Sequence, residues 1–270
     1  MNIATIIGFI LGIVLISYAS YDAANQAGLS VMKLWSTISL LIVVGGALAA
    51  TAIAFKLSEV LSIFKNLKRL ISDNPYKASD IVKDFIVLAE KQRSGELKVA
   101  LESAPESMKF RLKTAQIGCE YVAEGYRKDD ISEILNNMEE YRSVREMRQA
   151  SVLKKMGEYT PAFGMIGTLI GLVLMLYGMS VEGEPGADPT AKLGASMGIA
   201  LITTLYGSIF ASFVFLPMAA KLEGISEGKE VESAIIHAGV MLIYDKAHPI
   251  LVKDKLNAFL DSKERIMDEE

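Results

Sequence analysis

Four stretches of this chain carry no Asp, Glu, Lys, Arg or His: Asn2–Tyr21, Leu34–Phe55, Tyr159–Val181 and Leu193–Ala220. Each is long enough to cross a hydrocarbon core as a helix, which takes about 20 apolar residues. A charge at the centre of a span costs about 2.5–3.5 kcal/mol, so four clean windows point to four transmembrane helices. A soluble protein with four buried helices is the weaker reading, because core helices rarely lack charge on every face over five turns. The first window has no Lys or Arg of the kind that opens a secretory signal peptide, and is expected to be a retained span over about Ile3–Ala19.

The expected architecture is an all-α membrane protein. Residues 1–55 form a first hairpin, 56–158 a helical cytoplasmic insertion, 159–220 a second hairpin, and 221–270 a helical cytoplasmic tail. Basic residues near the span ends set the orientation. Lys56, Lys65, Lys68, Arg69, Arg142, Arg145, Arg148, Lys154, Lys155, Lys221 and Lys229 lie on one side, against Lys33 and Lys192 in the short loops. Both termini and the insertion are therefore expected in the cytoplasm. Within the insertion, Leu57, Val60, Leu61, Phe64, Leu67 and Ile71 keep helical spacing straight out of the second span. Ser79 is positioned to cap a helix carrying Ile81, Val82, Phe85, Ile86 and Ala89. Asp130 with Glu133 resembles a capping box, opening a helix that runs almost unbroken into the third span and bends at Gly157 and Pro161.

Several function classes are disfavoured. The net charge of −4 is spread through both signs, with no polybasic stripe for nucleic acid. No Walker loop, GxSxG or HExxH occurs, and His237 and His248 have no Cys or carboxylate at metal-ligand spacing, so no enzyme is expected. Cys119, the only cysteine, reads as a small buried hydrophobe.

The spans carry no carboxylate or basic group, yet ion translocation normally needs one at membrane depth. The third span instead offers Gly164, Gly167, Thr168 and Gly171 on one face, where another helix can approach closely. The fourth offers Ser196, Thr203, Thr204, Ser208 and Ser212 at helical spacing. These residues allow two readings. One is helix packing, with hydroxyls bonded back to the preceding turn; the other is a polar-walled pathway whose ionisable carrier belongs to another chain.

The segments PAFGMIGTLIGLV at Pro161–Val173 and ALITTLYGSIFASFVFLPMA at Ala200–Ala219 resemble the MotA/PomA family of flagellar stator subunits, in the MotA/TolQ/ExbB superfamily. SLLIVVGGALAAT at Ser39–Thr51 resembles the family's second span, and HAGVMLIYDKAHPILVKDKLNAFL at His237–Leu260 its tail. The proline that usually precedes the second-span serine is absent, Thr37 and Ile38 standing before Ser39. The resemblance implies a pentamer in the bacterial inner membrane around two copies of a MotB/PomB-type single-span partner. That partner carries an ion-binding aspartate and a peptidoglycan-binding domain. It further implies rotor-facing (FliG-type) charges, matched here by Arg93 and Glu102 with Lys91 beside them, at a spacing slightly longer than the family's. Pro161 and Pro217 match its hinge prolines. Thr168, Thr203 and Thr204 match threonines that line the pathway of sodium-driven members, which implies sodium as the transported ion, with protons as the alternative, and no cofactor. An ExbB/TolQ-like energiser, typically with three spans, and a non-conducting scaffold are the competing readings.

Overall fold

The computed structural model describes residues 3–63, 77–102, 113–180 and 189–267. All regular structure among them is helical. Among the described residues, four helices are long and apolar enough to cross a membrane. The chain divides into two compact units, Met1–Asp73 with Met147–Glu223, and Asn74–Glu146 with Gly224–Glu270. Both long helices continue past the apolar windows, so the division between these units falls inside the helices, at 146/147 and 223/224.

The first unit opens with α1, Ile3–Gln26, which runs through Asp22 and Asn25 and so is longer than the expected first span. Its apolar side chains, Ile7, Ile10, Leu11, Val14 and Leu15 among them, are exposed on the single chain. After a 3-10 turn at Val31–Leu34, Trp35 and Ser36 are extended and break the second window into two parts. Ser36 then caps α2, accepting a hydrogen bond from the Ser39 N–H at 3.2 Å. α2 covers 37–54 as Thr37–Leu40, a π-turn at Leu41–Gly45 and Gly46–Ala54. Extended Phe55 ends it (φ −130°, ψ 157°), so the helix at 57–63, α3, does not continue straight out of the span as expected. Phe64, Leu67 and Ile71 of that expected helix lie outside the described residues.

Two further helices complete both units. α7, Lys128–Ser180, contributes 147–180 to the first unit and holds Pro161 in its interior. Its unbroken course agrees with the expected run into the third span, but it begins at Lys128, so Asp129 and Asp130 stand in its first turn and Asp130 is not a cap. α8 covers 189–244 as Pro189–Ile209, a π-turn at Phe210–Phe215 and Leu216–Tyr244. Just before Pro217, which has no N–H to donate, the Leu216 N–H reaches back to the Ala211 carbonyl. The widened turn absorbs the backbone mismatch that a proline imposes on a helix. Below the spans, Val60, Ile63, Val152, Leu153, Met156 and Ala219 form a small core, edged by an Arg148–Glu59 ion pair at 3.0 Å.

The second unit is a helical bundle made of α4 (Ala78–Arg93), α5 (Leu97–Glu102), α6 (Lys113–Glu124), residues 128–146 of α7, 224–244 of α8, and α9 (Pro249–Asn257). Ala78 already lies inside α4; the orphan Lys77 N–H is met by the Asp80 carboxylate at 3.4 Å, so Asp80 rather than Ser79 serves this helix start. The core gathers Ile81, Phe85, Leu101, Cys119, Ile131, Ile243 and Leu256. Phe85, fully buried, lies against Gly239, where a Cβ would fall 2.7 Å from the ring. Each such large apolar side chain contributes about 1.5–3 kcal/mol on burial.

Candidate functional site

The third and fourth spans meet through glycine. A Cβ on Gly164 would lie 3.3 Å from the Thr203 carbonyl oxygen and the Thr204 Cα; one on Gly171 would lie 2.7 Å from the Ala200 Cβ. One on Gly167 would overlap the Thr203 methyl. The expected small-residue face is thus a real contact surface, and it brings the hydroxyls of one helix to the backbone of the other.

Thr168 and Thr204 meet at this contact. The Thr168 Oγ1 is 3.1 Å from the Gly164 carbonyl oxygen of its own preceding turn and 3.1 Å from the Ala200 carbonyl oxygen on the opposite helix. It also hydrogen-bonds the Thr204 hydroxyl, which in turn lies 3.4 Å from the Gly164 oxygen. Two hydroxyls have two protons to give, while four oxygens converge here. The cluster therefore has more lone pairs than donors, which is the electrostatic requirement for receiving a cation or an acidic proton. Thr168 is half-buried and Thr204 exposed on the single chain, so the cluster is open on one side.

Thr203 faces elsewhere. It is fully buried, with its hydroxyl 2.5 Å from the Ile199 carbonyl oxygen and 3.0 Å from the Ser39 Oγ of α2. The structure therefore brings Thr168 and Thr204 together and sets Thr203 behind them. Ser39, Ser36 and Tyr206 join Thr203, three residues to which the sequence alone gives no role. The signal was present in the Ser-x-x-Ser spacing at the head of the second span and in the one-turn step from Thr203 to Tyr206.

Pro161 and Pro217 occupy helix interiors in α7 and α8. Pro161 stands where the helices touch: a Cβ on Gly207 would come within 3.0 Å of the Thr160 oxygen, 3.1 Å of the Gly164 Cα and 3.3 Å of the Pro161 Cα.

The charged residues lie in the second unit, around the turn between α4 and α5. Gly95 takes the left-handed conformation (φ 79°). The Glu96 N–H then bonds the Lys91 carbonyl at 2.9 Å and the Gly95 N–H that of Gln92 at 3.2 Å, closing α4 as a Schellman turn. Leu97 and Leu101, one turn apart, are buried, which leaves Glu102 exposed at the end of α5 and Arg93 exposed at the end of α4. Lys91 is paired with Glu96 at 2.9 Å. That hydrogen bond raises the lysine pKa and lowers that of the carboxyl. The pair is exposed, and its contribution to stability is small. The two histidines have structural partners: His237 Nε2 lies 3.0 Å from Ser132 Oγ, and His248 Nδ1 accepts from the Ile250 N–H at 3.3 Å, capping α9. Among the described residues no group of His, Cys, Asp or Glu is placed to hold a metal.

A family model described as the MotA/TolQ/ExbB proton channel family matches residues 97–234, more than half of the 270-residue chain. The chain belongs to this family. Over nearly its whole length it is 31% identical to Motility protein A of Treponema phagedenis, covering 98% of this chain and 96% of that protein. It is 28% identical to Chemotaxis protein PomA of Vibrio alginolyticus, covering 99% of each. The flagellar MotAB stator complex from Bacillus subtilis shares its fold, with a TM-score of 0.81 at 23% identity over 97% of this chain and 98% of that one. The C. jejuni MotAB structure does so with a TM-score of 0.79 at 21% identity, covering all of both chains. With full-length motility proteins as relatives, this member of the family is a flagellar stator subunit and not an enzyme.

Proposed function

We propose that the chain passes sodium ions along the Thr168–Thr204 face and converts their motive force into torque. Its four spans lie in the bacterial cytoplasmic membrane, with both termini and the insertion in the cytoplasm, as the distribution of basic residues favours. It assembles as a pentamer around a MotB/PomB-type partner, whose single span supplies the carboxylate that its own spans lack. Arg93 and Glu102 face the rotor, and Pro161 and Pro217 are the hinges between ion passage and movement of the cytoplasmic unit.

One observation carries this reading: four oxygens, those of Gly164, Ala200, Thr168 and Thr204, converge on the open side of a helix pair whose membrane spans hold no Asp, Glu, Lys, Arg or His. A sodium ion that sheds water needs several such ligands, whereas a proton needs only a carboxylate and a hydrogen-bonded route. The test is swimming speed of a host without its own stators, expressing this chain with a MotB/PomB-type partner, as sodium is varied at constant total motive force. Speed is expected to rise and saturate with sodium, and Thr168→Ala to weaken that dependence. Speed indifferent to sodium would assign the pathway to protons.

A further inference from the structure

We infer that Ser39, with Ser36 and Tyr206, is a positioning residue for the ion pathway: it fixes the rotation of the fourth span about its own axis and so sets the approach of Thr204 to Thr168. The inference rests on the reading of Thr168 and Thr204 as pathway lining.

Among the described residues of the first unit, Ser39, Thr51, Thr160 and Thr203 are hydroxyl-bearing residues with no exposed surface. Thr51 and Thr160 bond only the carbonyls of their own preceding turns, those of Ala47 and Met156. Ser39 and Thr203 are different, because they reach across helices. Their hydroxyls are 3.0 Å apart, and the Ser39 Oγ also lies 3.4 Å from the Ile199 carbonyl oxygen of the fourth span. Ser39 is itself held from behind, its Oγ 2.9 Å from that of Ser36. One turn further along the fourth span, the Tyr206 hydroxyl donates to the Leu34 carbonyl at 2.8 Å and accepts from the Ser36 N–H at 3.2 Å. Leu34 and Ser36 flank the break where the second window leaves helical geometry, and that break frees the backbone groups Tyr206 uses.

A single contact leaves a helix free to pivot, but two contacts a turn apart on one face fix its azimuth. The residue next to Thr203 is Thr204, about 100° around the helix. At a side-chain radius of about 5–6 Å, a rotation of about 10° moves its hydroxyl by about 1 Å. Ligand distances in a cation site tolerate only about 0.2 Å. Loss of the Ser39 anchor would therefore act on the sodium concentration needed, and leave the torque-bearing parts intact.

The experiment uses the full chain with its partner in a host without stators. Ser39→Ala and Tyr206→Phe are each expected to raise the sodium concentration for half-maximal speed by roughly three- to ten-fold, the range expected for loss of one hydrogen bond within a membrane, with saturating speed retained. Ser39→Thr keeps the hydroxyl and is expected to stay near wild type. Thr51→Ala, which removes a buried hydroxyl bonded only within its own helix, is the control and is expected to leave half-saturation unchanged. An unshifted Ser39→Ala, or equal shifts in Ser39→Ala and Thr51→Ala, would overturn the proposal. A second measurement does not depend on the ion: oxidative cross-linking of a Thr168→Cys, Thr204→Cys pair, read by mass spectrometry. Ser39→Ala is expected to lower the cross-link yield and Thr51→Ala to leave it unchanged. An undiminished yield with Ser39→Ala would sink the positioning role even if the sodium reading holds, and a wild type that swims without sodium would fault only that reading.

Discussion

Gly164 on the third span and Gly207 on the fourth stand backbone to backbone: a methyl group on Gly207 would lie 3.1 Å from the Gly164 Cα. No flexible side chain is available to give way, since the other near atoms are the Thr160 oxygen and the Pro161 Cα.

Gly207→Ala is therefore expected to destabilise the helix pair by about 1–3 kcal/mol, the usual cost of overpacking. Gly198→Ala on the same helix meets nothing within 4 Å, and should be neutral or gain up to about 1 kcal/mol from helix propensity. Thermal unfolding of both variants in detergent checks the contrast, and equal stabilities would show that the close approach is not needed.

Arg93 and Glu102 are exposed at the ends of α4 and α5, and Lys91 is paired with Glu96. Reversal of both, Arg93→Glu with Glu102→Lys, is expected to abolish most swimming, and a matching charge swap on the rotor to restore part of it. Lys91→Ala should have a smaller effect, because exposed ion pairs contribute less than about 1 kcal/mol. Normal swimming by the double reversal would remove these residues from the rotor interface.

Pro161→Ala returns an N–H to the interior of α7 and removes a helix penalty of about 3 kcal/mol. Assembly with the partner is expected to survive, with torque strongly reduced, as co-purification and tethered-cell rotation would show. Failure to co-purify would make the proline a packing element alone.

Cys119 lies in the core of the second unit, where burial pushes its thiol up to about 12. The reactive thiolate is then scarce at neutral pH, and a raised pKa means the neutral thiol persists as pH rises through the ordinary thiol range. Maleimide labelling of the folded protein is expected to be slow and nearly flat between pH 7 and about 9, and fast after denaturation. Rapid labelling of the native protein would place Cys119 at an accessible surface.

The sequence by itself determined the four spans, because hydrocarbon excludes charge whatever the fold around it. It determined the glycine face of the third span as well, since three- and four-residue spacing is a property of any α-helix. Helix ends were less legible. α1 and α8 run past their apolar windows because a helix needs only satisfied backbone groups, not uniform hydrophobicity, and α2 starts late because Ser36 offers a cap that Leu34 does not. Only the tertiary structure separated Thr203 from Thr204. Adjacent residues point about 100° apart, and which of them meets Thr168 and which meets Ser39 depends on the way three helices cross. Both directions meet hydroxyls of a neighbouring span, Thr168 on one side and Ser39 on the other, so hydropathy carries no signal that tells them apart. Tyr206 was hidden for the same reason: its partners, the Leu34 carbonyl and the Ser36 N–H, are backbone groups that become available only where the second span breaks.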